Sequence, residues 1–348
     1  SWPCRPRRGV DRAGHRDRIR FVRPAQRGPN RASRALTGPA EEPPVASMPG
    51  SHSPQVGYRD SLWLWPELFL TGKKSALESR IFRRQTGRPK VRVWMTEERF
   101  GARLGAIGQW PIPAGSADFG FRFGDKGTHT SRTIMLAELS ALLDAGSPDA
   151  TRADYWTLIV DGNCLGKRTA ATRRLTAQRL SELYALDPNV FLFRVMRYFW
   201  IADERGRPLL GLLTALARDP LLRLTALPIL LLRPEEELAR QALTTALQQG
   251  VGARFNEAVL DKIVRNAASS WTQSGHLRGR GRKFRQIVTP TPAATAYALL
   301  LGYLTGARGA TLFETPWTRI LDTSRDELTR LAMDARRLGF LDMSQAGE

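Results

Sequence analysis

The most constraining feature of this chain is a run of apolar residues that repeats with the period of an α-helix. Within residues 256–273 the apolar positions follow i, i+3, i+4, i+7, i+8 and i+11 spacing, which puts them on one side of a helix. They are Leu260, Ile263, Val264, Ala267, Ala268 and Trp271. The opposite side carries Lys262 and Arg265. This division predicts a helix whose apolar side packs on a core.

Similar patterns elsewhere predict a mainly α-helical fold. Helices are expected at 131–145 with a cap at Thr130 or Ser131, at 152–160, at 168–185, at 292–305, and after Ser324. Ser324 and Glu327 have the spacing of a capping box, in which two side chains bond exposed backbone donors reciprocally. The apolar middle, 191–250, is expected to be helical, with breaks at Asp219-Pro220 and Leu227-Pro228 and a new helix beginning at Pro234.

Strands are predicted at a few places. The basic run 277–288 alternates in character, so two short strands with Gly279 or Gly281 at the turn would form a wing beside the preceding helix. Phe119, Phe121 and Phe123 alternate with smaller or polar residues, which indicates one short strand. A further strand is expected to begin at 340–343.

These patterns divide the chain into five segments. Residues 1–47 contain Arg but no Lys and lack the apolar region of a signal peptide, so they are either a disordered tail or translated upstream sequence, with Met48 and Met95 as candidate starts. Residues 48–127 are expected to be poorly structured. Residues 128–188 are predicted to be a helix-turn-helix-like unit, 189–250 a helical middle, and 251–348 a winged-helix-like region that is truncated.

The net charge of +20 indicates a polyanionic partner, but its position matters more than its size. Residues 1–47 hold eleven Arg against four acidic residues, a net +7, and 48–94 hold nine Lys or Arg against three acidic residues, a net +6. Residues 95–348 therefore carry +7, concentrated in two clusters.

The first cluster, 163–180, has five basic residues and no acidic one. Its candidate nucleic-acid-binding residues are Lys167, Arg168, Thr169, Thr172, Arg173, Thr176 and Arg179. Arg168, Thr172, Thr176 and Arg179 share one predicted helix face, whose hydroxyl and guanidinium groups suit phosphate contacts. The alternative is a solvated helix face without a partner.

The second cluster, 254–288, has eight basic residues against two acidic ones. Its candidate nucleic-acid-binding residues are Lys262, Arg265, Arg278, Arg280, Arg282, Lys283 and Arg285. Arg278, Arg280 and Arg282 alternate with glycines, a composition suited to a wing lying on phosphates or in a minor groove. The alternative is a flexible basic loop.

Residues suited to catalysis are few. The segment 162–169 resembles a phosphate-binding loop, but its glycines are one residue too close and Arg168 stands where Ser or Thr should bind magnesium. No metal-ligand spacing occurs, and Cys164 is expected to be a small buried apolar residue rather than a nucleophile. We expect no enzymatic activity and no cofactor. Cys164 is the one cysteine outside the leader, so no disulfide framework is expected and a reducing cytoplasm fits. The most apolar stretch, 209–232, contains charged residues and Pro228, so no membrane span is expected.

The segment Asn163-Cys164-Leu165-Gly166-Lys167-Arg168-Thr169-Ala170-Ala171-Thr172 resembles the N-x-L-x-K-R-T-x-x-T motif of the BrxA family of BREX phage-defence systems. The order of elements over 124–348 is also similar. The resemblance implies an all-helical, non-catalytic DNA-binding protein that acts beside a methyltransferase, an ATPase and a phosphatase-like partner. By motif, Asn163, Leu165, Lys167, Arg168, Thr169 and Thr172 carry over.

Together these patterns predict an accessory protein that binds double-stranded DNA in a bacterial defence system. The main alternative is an adaptor that binds other proteins, in which the helix-turn-helix-like units serve as packing modules. An enzyme that uses Cys164 is a third and weaker hypothesis.

Overall fold

The computed structural model describes residues 110, 112–124 and 126–345, together with the backbone of the strand Phe69–Leu70. Helices account for 62% of this part, which confirms the prediction of a mainly α-helical protein. The predicted leader, 1–47, and nearly all of 48–109 lie outside the described residues.

The described residues form short to medium α-helices joined by brief connections. In chain order these are α1 (Leu136–Ala145), α2 (Arg152–Val160), α3 (Ala170–Tyr184), α4 (Phe191–Ala202), α5 (Arg207–Arg218), α6 (Pro220–Leu224), α7 (Ala226–Leu230), α8 (Arg240–Val251), α9 (Glu257–Gln273), α10 (Pro292–Leu304), α11 (Pro316–Arg319) and α12 (Arg325–Arg337). The 3-10 helices are Ala114–Phe119, Thr128–Thr130, Gly252–Arg254 and Gly309–Glu314.

The strands are two residues long. The strand β1 (Phe69–Leu70) pairs in parallel with β4 (Ser344–Gln345). The strands β2 (Leu277–Arg278) and β3 (Phe284–Arg285) pair in antiparallel fashion, as predicted for the basic run. The strand predicted to begin at 340–343 starts instead at Ser344.

Several helices begin where the sequence predicts because a side chain caps them. An Asn, Ser or Thr oxygen accepts a hydrogen bond from a backbone N–H group in the first turn and so satisfies a donor that lacks a helical partner. These caps are Thr151, Thr169, Asn256, Thr291 and Ser324. All six residues of the predicted apolar stripe on α9 are buried. The predicted reciprocal bond at Ser324 is absent, because the Glu327 carboxylate pairs with Arg330.

The first helix starts later than predicted because its cap comes from a distant part of the chain. It begins at Leu136, after Met135 in a left-handed conformation with φ 54°, and neither Thr130 nor Ser131 caps it. The backbone N–H of Leu136 donates instead to Gln273 Oε1 on α9, at 3.0 Å. A bond across 137 residues has no local sequence signal.

The strand predicted from Phe119, Phe121 and Phe123 is wrong. Residues Ala114–Phe119 form a 3-10 helix that ends at Gly120, whose φ of 105° is a left-handed conformation that favours glycine. Phe121 is buried, whereas Phe119 and Phe123 are exposed. The alternating aromatic residues reflect a turn that buries one ring rather than the two faces of a strand.

The core is organised around two helices that are buried on all sides. Residues 209–217 of α5 and 293–302 of α10 are buried without interruption, a pattern expected of helices surrounded by other elements. Thr214 Oγ1 and the Tyr297 hydroxyl join them at 3.0 Å. One hydrophobic core runs through all three predicted segments from 128 onward, so their boundaries remain predictions. No helix among the described ranges is both long and apolar enough to cross a membrane.

A buried polar network ties the segment before α1 to the core. Nδ1 of His129 donates to Asp219 Oδ2 at 2.8 Å, and His129 Nε2 lies 2.8 Å from Ser270 Oγ. Asp219 Oδ1 also accepts from the backbone N–H of Leu221 and so caps α6. Burial alone would raise the pKa of the Asp219 carboxyl, but His129 and the backbone donors around it lower that pKa overall. A side chain at Gly127 would overlap Asp219 Oδ1, so the close approach requires glycine.

A second buried cluster anchors the strand β2. Nε2 of His276 donates to the Ile320 carbonyl oxygen at 2.8 Å, and its Nδ1 lies 2.9 Å from Ser274 Oγ. Its ring packs edge-on against Trp271 with centroids 4.9 Å apart. Burial lowers the pKa of His276 to about 4, although Asp322 3.8 Å away acts in the opposite direction. The imidazole is therefore neutral at physiological pH.

We predict that Asp219→Ala lowers the free energy of unfolding by roughly 3–5 kcal/mol, because it leaves a buried histidine without its charged partner and removes the α6 cap. Chemical denaturation followed by circular dichroism measures the change. Asp149→Ala, which alters an exposed carboxylate, should change stability by less than about 0.5 kcal/mol. Equal effects of the two substitutions would show that the network contributes no special stability.

We predict that His276 makes stability depend on pH between 6.5 and about 4. The unfolded chain binds the proton first, so this contribution is complete above pH 6.5 and is lost as pH falls towards 4, by roughly 3 kcal/mol. Urea denaturation at several pH values tests this. His276→Gln should be less stable at pH 7.5 but should lose this part of the pH dependence, and parallel pH profiles for both proteins would contradict the prediction.

Candidate nucleic-acid interface

The helices α2 and α3 with their connection form the unit that contains the first basic cluster. A capping box opens α2: the backbone N–H of Thr151 donates to Asp154 Oδ2 at 2.8 Å, and that of Asp154 donates to Thr151 Oγ1 at 3.3 Å. The connection, 161–169, is nine residues long. Helix-turn-helix motifs use turns of about three or four residues. The predicted order of helix, turn and basic helix is present, with a longer connection.

Most residues of the 163–172 motif stabilise this connection. Asn163 adopts φ 48°, and its Oδ1 accepts from the Lys167 backbone N–H at 2.7 Å. Lys167 Nζ pairs with Glu138 at 3.0 Å. Thr169 caps α3 through the backbone N–H of Thr172, and Leu165 packs against the core. Arg168 differs from them, since it is exposed and forms no ion pair within the described ranges.

The prediction that one face of α3 contacts phosphates is wrong in part. Thr176 is 1% exposed, so it belongs to the core and cannot reach a partner. Arg179 is half-buried and pairs with Glu182 at 2.7 Å. This face is exposed mainly at the start of α3, because beyond the first helical turn the helix packs against α5 and α2. The solvent-facing side of α3 instead presents Arg174, Leu175 and Gln178.

Two cations of α3 remain without an acidic partner among the described residues. Arg174 is exposed, whereas Arg173 is half-buried and its Nε has no hydrogen-bond partner. With Arg168, they give the start of α3 three guanidinium groups that no nearby carboxylate neutralises in the described part. This end is also the positive end of the helix dipole, which adds to the attraction for anions.

The hairpin formed by β2 and β3 carries most of the second cluster. Leu277 lies opposite Arg285, and Arg278 opposite Phe284. Gly279 occupies the turn with φ 103°, and a side chain there would overlap the carbonyl oxygen of Arg282. The predicted pair of strands with glycine at the turn is therefore confirmed.

An acidic turn, residues 234–237, lies along this hairpin. The prediction that a helix begins at Pro234 is wrong, because the backbone of this turn forms hydrogen bonds to β3. The backbone N–H of Arg285 donates to the Glu236 carbonyl oxygen at 2.8 Å. Glu235 pairs with Arg278, and Glu237 pairs with Arg282. The bonds from Arg282 lower the pKa of Glu237, so its carboxylate remains charged. Two arginines predicted to face DNA are thus neutralised within the chain.

The other hairpin residues differ in accessibility. Arg280 is exposed and has no ion pair in the part that the structure describes. Lys283 is half-buried, and its Nζ donates to the Gly279 carbonyl oxygen at 2.9 Å. Arg285 is 1% exposed and pairs with Asp322, so its predicted role in binding nucleic acid is wrong. It is an anchor that joins the hairpin to the segment before α12.

The two predicted residues on α9 are both exposed. Arg265 Nε pairs with Asp261 at 3.1 Å, and Asp261 also pairs with Arg240 of α8. Lys262 forms no ion pair among the described residues. Of the fourteen candidates, the exposed cations without an acidic partner are therefore Arg168, Lys262 and Arg280, and Arg174 joins them although the prediction omitted it.

A groove between α2 and α3 was not predicted. Its volume is about 1090 Å³. Exposed Trp156 and Leu175 line it, together with Arg152 and Arg174 at its rim and Arg122 and Arg218 deeper inside. Trp156 and Arg152 lie one helical turn apart on α2, a pairing visible in the sequence, but the groove forms only when α3 packs beside them.

Neither Cys164 nor the buried network of Asp219, His129 and Ser270 has the features of an accessible catalytic site. Burial raises the pKa of the half-buried Cys164 thiol, which opposes formation of the reactive thiolate at neutral pH. Asp219, His129 and Ser270 lie in the order of a hydrolase triad, yet each is at most 1% exposed. Ser270 Oγ also donates to the Asn266 carbonyl oxygen at 2.8 Å. No group of His, Cys, Asp or Glu in the described ranges could hold a metal ion.

Comparison with known proteins adds no relative from which function could be transferred. No protein-family model matches the chain, and a search of curated proteins finds no similar sequence. The resemblance of the 163–172 motif to the BrxA family therefore remains a prediction from sequence.

Proposed function

We propose that this chain is a non-catalytic protein that binds double-stranded DNA and acts as an accessory component of a bacterial, BREX-like phage-defence system. The observation that supports DNA binding best is the start of α3, where Arg168, Arg173 and Arg174 have no acidic partner among the described residues. Burying such charges against phosphates releases condensed counterions and favours binding at low salt.

The local geometry supports phosphate contact more than base recognition. Arg168 precedes the cap of α3 and Arg174 follows on its exposed side, so both can approach a backbone near the positive end of the helix dipole. Leu175 and Gln178 are the exposed side chains beyond them. Binding through this surface would depend strongly on salt and weakly on sequence.

The hairpin is proposed as a second DNA contact that contributes less to the binding free energy than the start of α3. Arg280 extends from the turn without an acidic partner in the described part, whereas Arg278 and Arg282 are paired with the acidic turn. Both paired guanidiniums also lie over the Phe284 ring, at 5.4 and 5.5 Å from its centroid. DNA must therefore compete with Glu235 and Glu237 for these side chains.

The assignment to phage defence rests on the resemblance of the 163–172 motif to the BrxA family. It implies a protein that acts beside a methyltransferase, an ATPase and a phosphatase-like protein. The proposed location is the cytoplasm, without a membrane partner. Genes for those partners adjacent to the gene for this chain would support the assignment, and their absence would count against it.

An adaptor that binds proteins is the second candidate. Tyr198 and Ile201 on α4 are 48% and 63% exposed, and Leu338 after α12 is 59% exposed. Tyr198 contacts Phe340 edge-on with centroids 6.2 Å apart, which brings α4 close to the segment after α12. Co-purification with neighbouring gene products in the absence of any DNA affinity would favour this candidate.

We predict that Arg168→Gln combined with Arg174→Gln weakens binding to duplex DNA and lowers the slope of log K against log salt by about two, close to one per lost phosphate contact. Fluorescence anisotropy with a labelled duplex at several salt concentrations measures both quantities. Arg205→Gln combined with Arg337→Gln, which removes two exposed charges outside both basic clusters, is the matched control. Absence of duplex binding by the wild-type protein at low salt would refute the proposed function.

We predict that Glu235→Gln combined with Glu237→Gln strengthens duplex binding by about three- to tenfold at low salt, because it frees Arg278 and Arg282 from exposed ion pairs. The same substitutions should increase the salt slope. Glu204→Gln combined with Asp149→Asn changes two exposed carboxylates elsewhere and controls for net charge. If the two charge changes act equally, the hairpin is not a DNA contact.

A further inference from the structure

The groove between α2 and α3 combines a positive rim with an exposed aromatic ring. Its volume of about 1090 Å³ exceeds that of a typical small-molecule site, and its apolar floor includes Ile159, Ala177 and Leu186. Leu186 follows Ala185, and both have positive φ, 50° and 70°. These two residues end α3 and turn the chain so that Leu186 closes the floor.

The charges around the groove remain positive after internal pairing. Glu182 is the acidic residue of the lining, and its carboxylate bonds to Arg179, Gln178 and Thr128. Arg218 Nε donates to the Glu182 carbonyl oxygen at 3.1 Å. Burial lowers the pKa of Arg218 to about 10, so its guanidinium is still charged at neutral pH.

The rim offers two guanidinium groups to a ligand. Arg152 in the first turn of α2 and Arg174 on α3 are both exposed, and neither pairs with a carboxylate within the described ranges. They belong to different helices, so they can hold two anionic groups of one extended ligand. Two separate guanidinium groups favour binding of a polyanion over binding of a single anion.

Trp156 is the exposed aromatic side chain of this groove, at 46% exposure. It makes no aromatic or cation–π contact with another described side chain. Proteins that bind single-stranded nucleic acid pair a positive groove with aromatic rings on which bases stack. An unpaired base would cover Trp156 and the neighbouring Leu175, while the bases of a duplex are already covered by each other.

We propose that this groove binds a short single-stranded segment of nucleic acid, with a base stacked on Trp156 and its phosphates held by Arg152 and Arg174. The proposal rests on the proposed function in taking nucleic acid as the partner, but it adds a site and a strand state. The chain's own residues 1–94 are poor competitors for the groove, because their net charge of +13 is repelled by its arginines.

The test is binding of fluorescein-labelled dT12 and rU12 to the full chain, beside a 12-base-pair duplex. We expect Trp156→Ala to weaken binding of the single strands by about tenfold or more, and Trp156→Phe to recover part of the loss. Arg152→Gln should weaken single-strand binding and reduce its salt dependence. Tyr198→Ala, which removes an equally exposed ring outside the groove, should leave it unchanged. Circular dichroism and thermal melting establish that each variant is folded.

The same series separates failure of this proposal from failure of the proposed function. If wild-type protein binds the duplex and Trp156→Ala binds dT12 and rU12 as tightly as wild type, the groove is not a single-strand site. If an acidic peptide of glutamate and leucine binds at Trp156 while neither oligonucleotide does, the groove takes a protein segment and the proposal is wrong. If the wild-type protein binds the single strands but not the duplex, the proposed function is wrong, and the single-strand data alone decide whether the groove is a nucleic-acid site.

Discussion

The fold depends on one buried polar contact, the hydrogen bond of His129 to Asp219 with Ser270 on the other side of the ring. Through it the segment before α1 meets the end of α5, the start of α6 and the middle of α9. Buried polar groups are costly unless every donor and acceptor is satisfied. The contact therefore favours the arrangement in which these helices meet, and α3 is bonded to the same segment through the Tyr184 hydroxyl, which donates to the Ile134 carbonyl oxygen.

Internal pairing decides which of the many cations can meet a partner. The net charge is +20, yet within the described part Arg285 is buried with Asp322, and Arg278 and Arg282 face an acidic turn. Among the described residues, the exposed, unpaired cations of the candidate surfaces lie at the start of α3, at the tip of the hairpin and at Lys262 on α9. A proposal for DNA binding consequently rests on a few guanidinium groups rather than on overall basicity.

Under the two proposals, the α2–α3 unit serves two kinds of contact without a change of fold. Arg168 and Arg174 at the start of α3 are proposed to contact the phosphates of a duplex, and Arg174 also lines the rim of the groove that contains Trp156. A protein that meets both a duplex and an unpaired strand would be suited to sites where duplex DNA opens. The exposed apolar residues of α4 and of the segment after α12 would be available to contact a protein partner at the same time.

The sequence by itself determined the helices that carry their own signals. The stripe on α9 and the cap at Ser324 are local signals, and the helices they predict are present. Thr151, Thr169 and Asn256 cap other helices in the same local way. The turn of the hairpin was also predictable from a local signal, because its first position has a positive φ, which favours glycine, and Gly279 occupies it.

Tertiary structure alone decided the rest, because it depends on contacts between distant residues. Gln273 sets the start of α1, the acidic turn pairs with the hairpin instead of opening a helix, and Thr176 is buried although its helix face looked polar. The groove exists only where α2 and α3 meet. Sequence periodicity thus predicted which helices and strands carry the basic residues. Packing and ion pairing determined which of those residues stay exposed to solvent without an acidic partner.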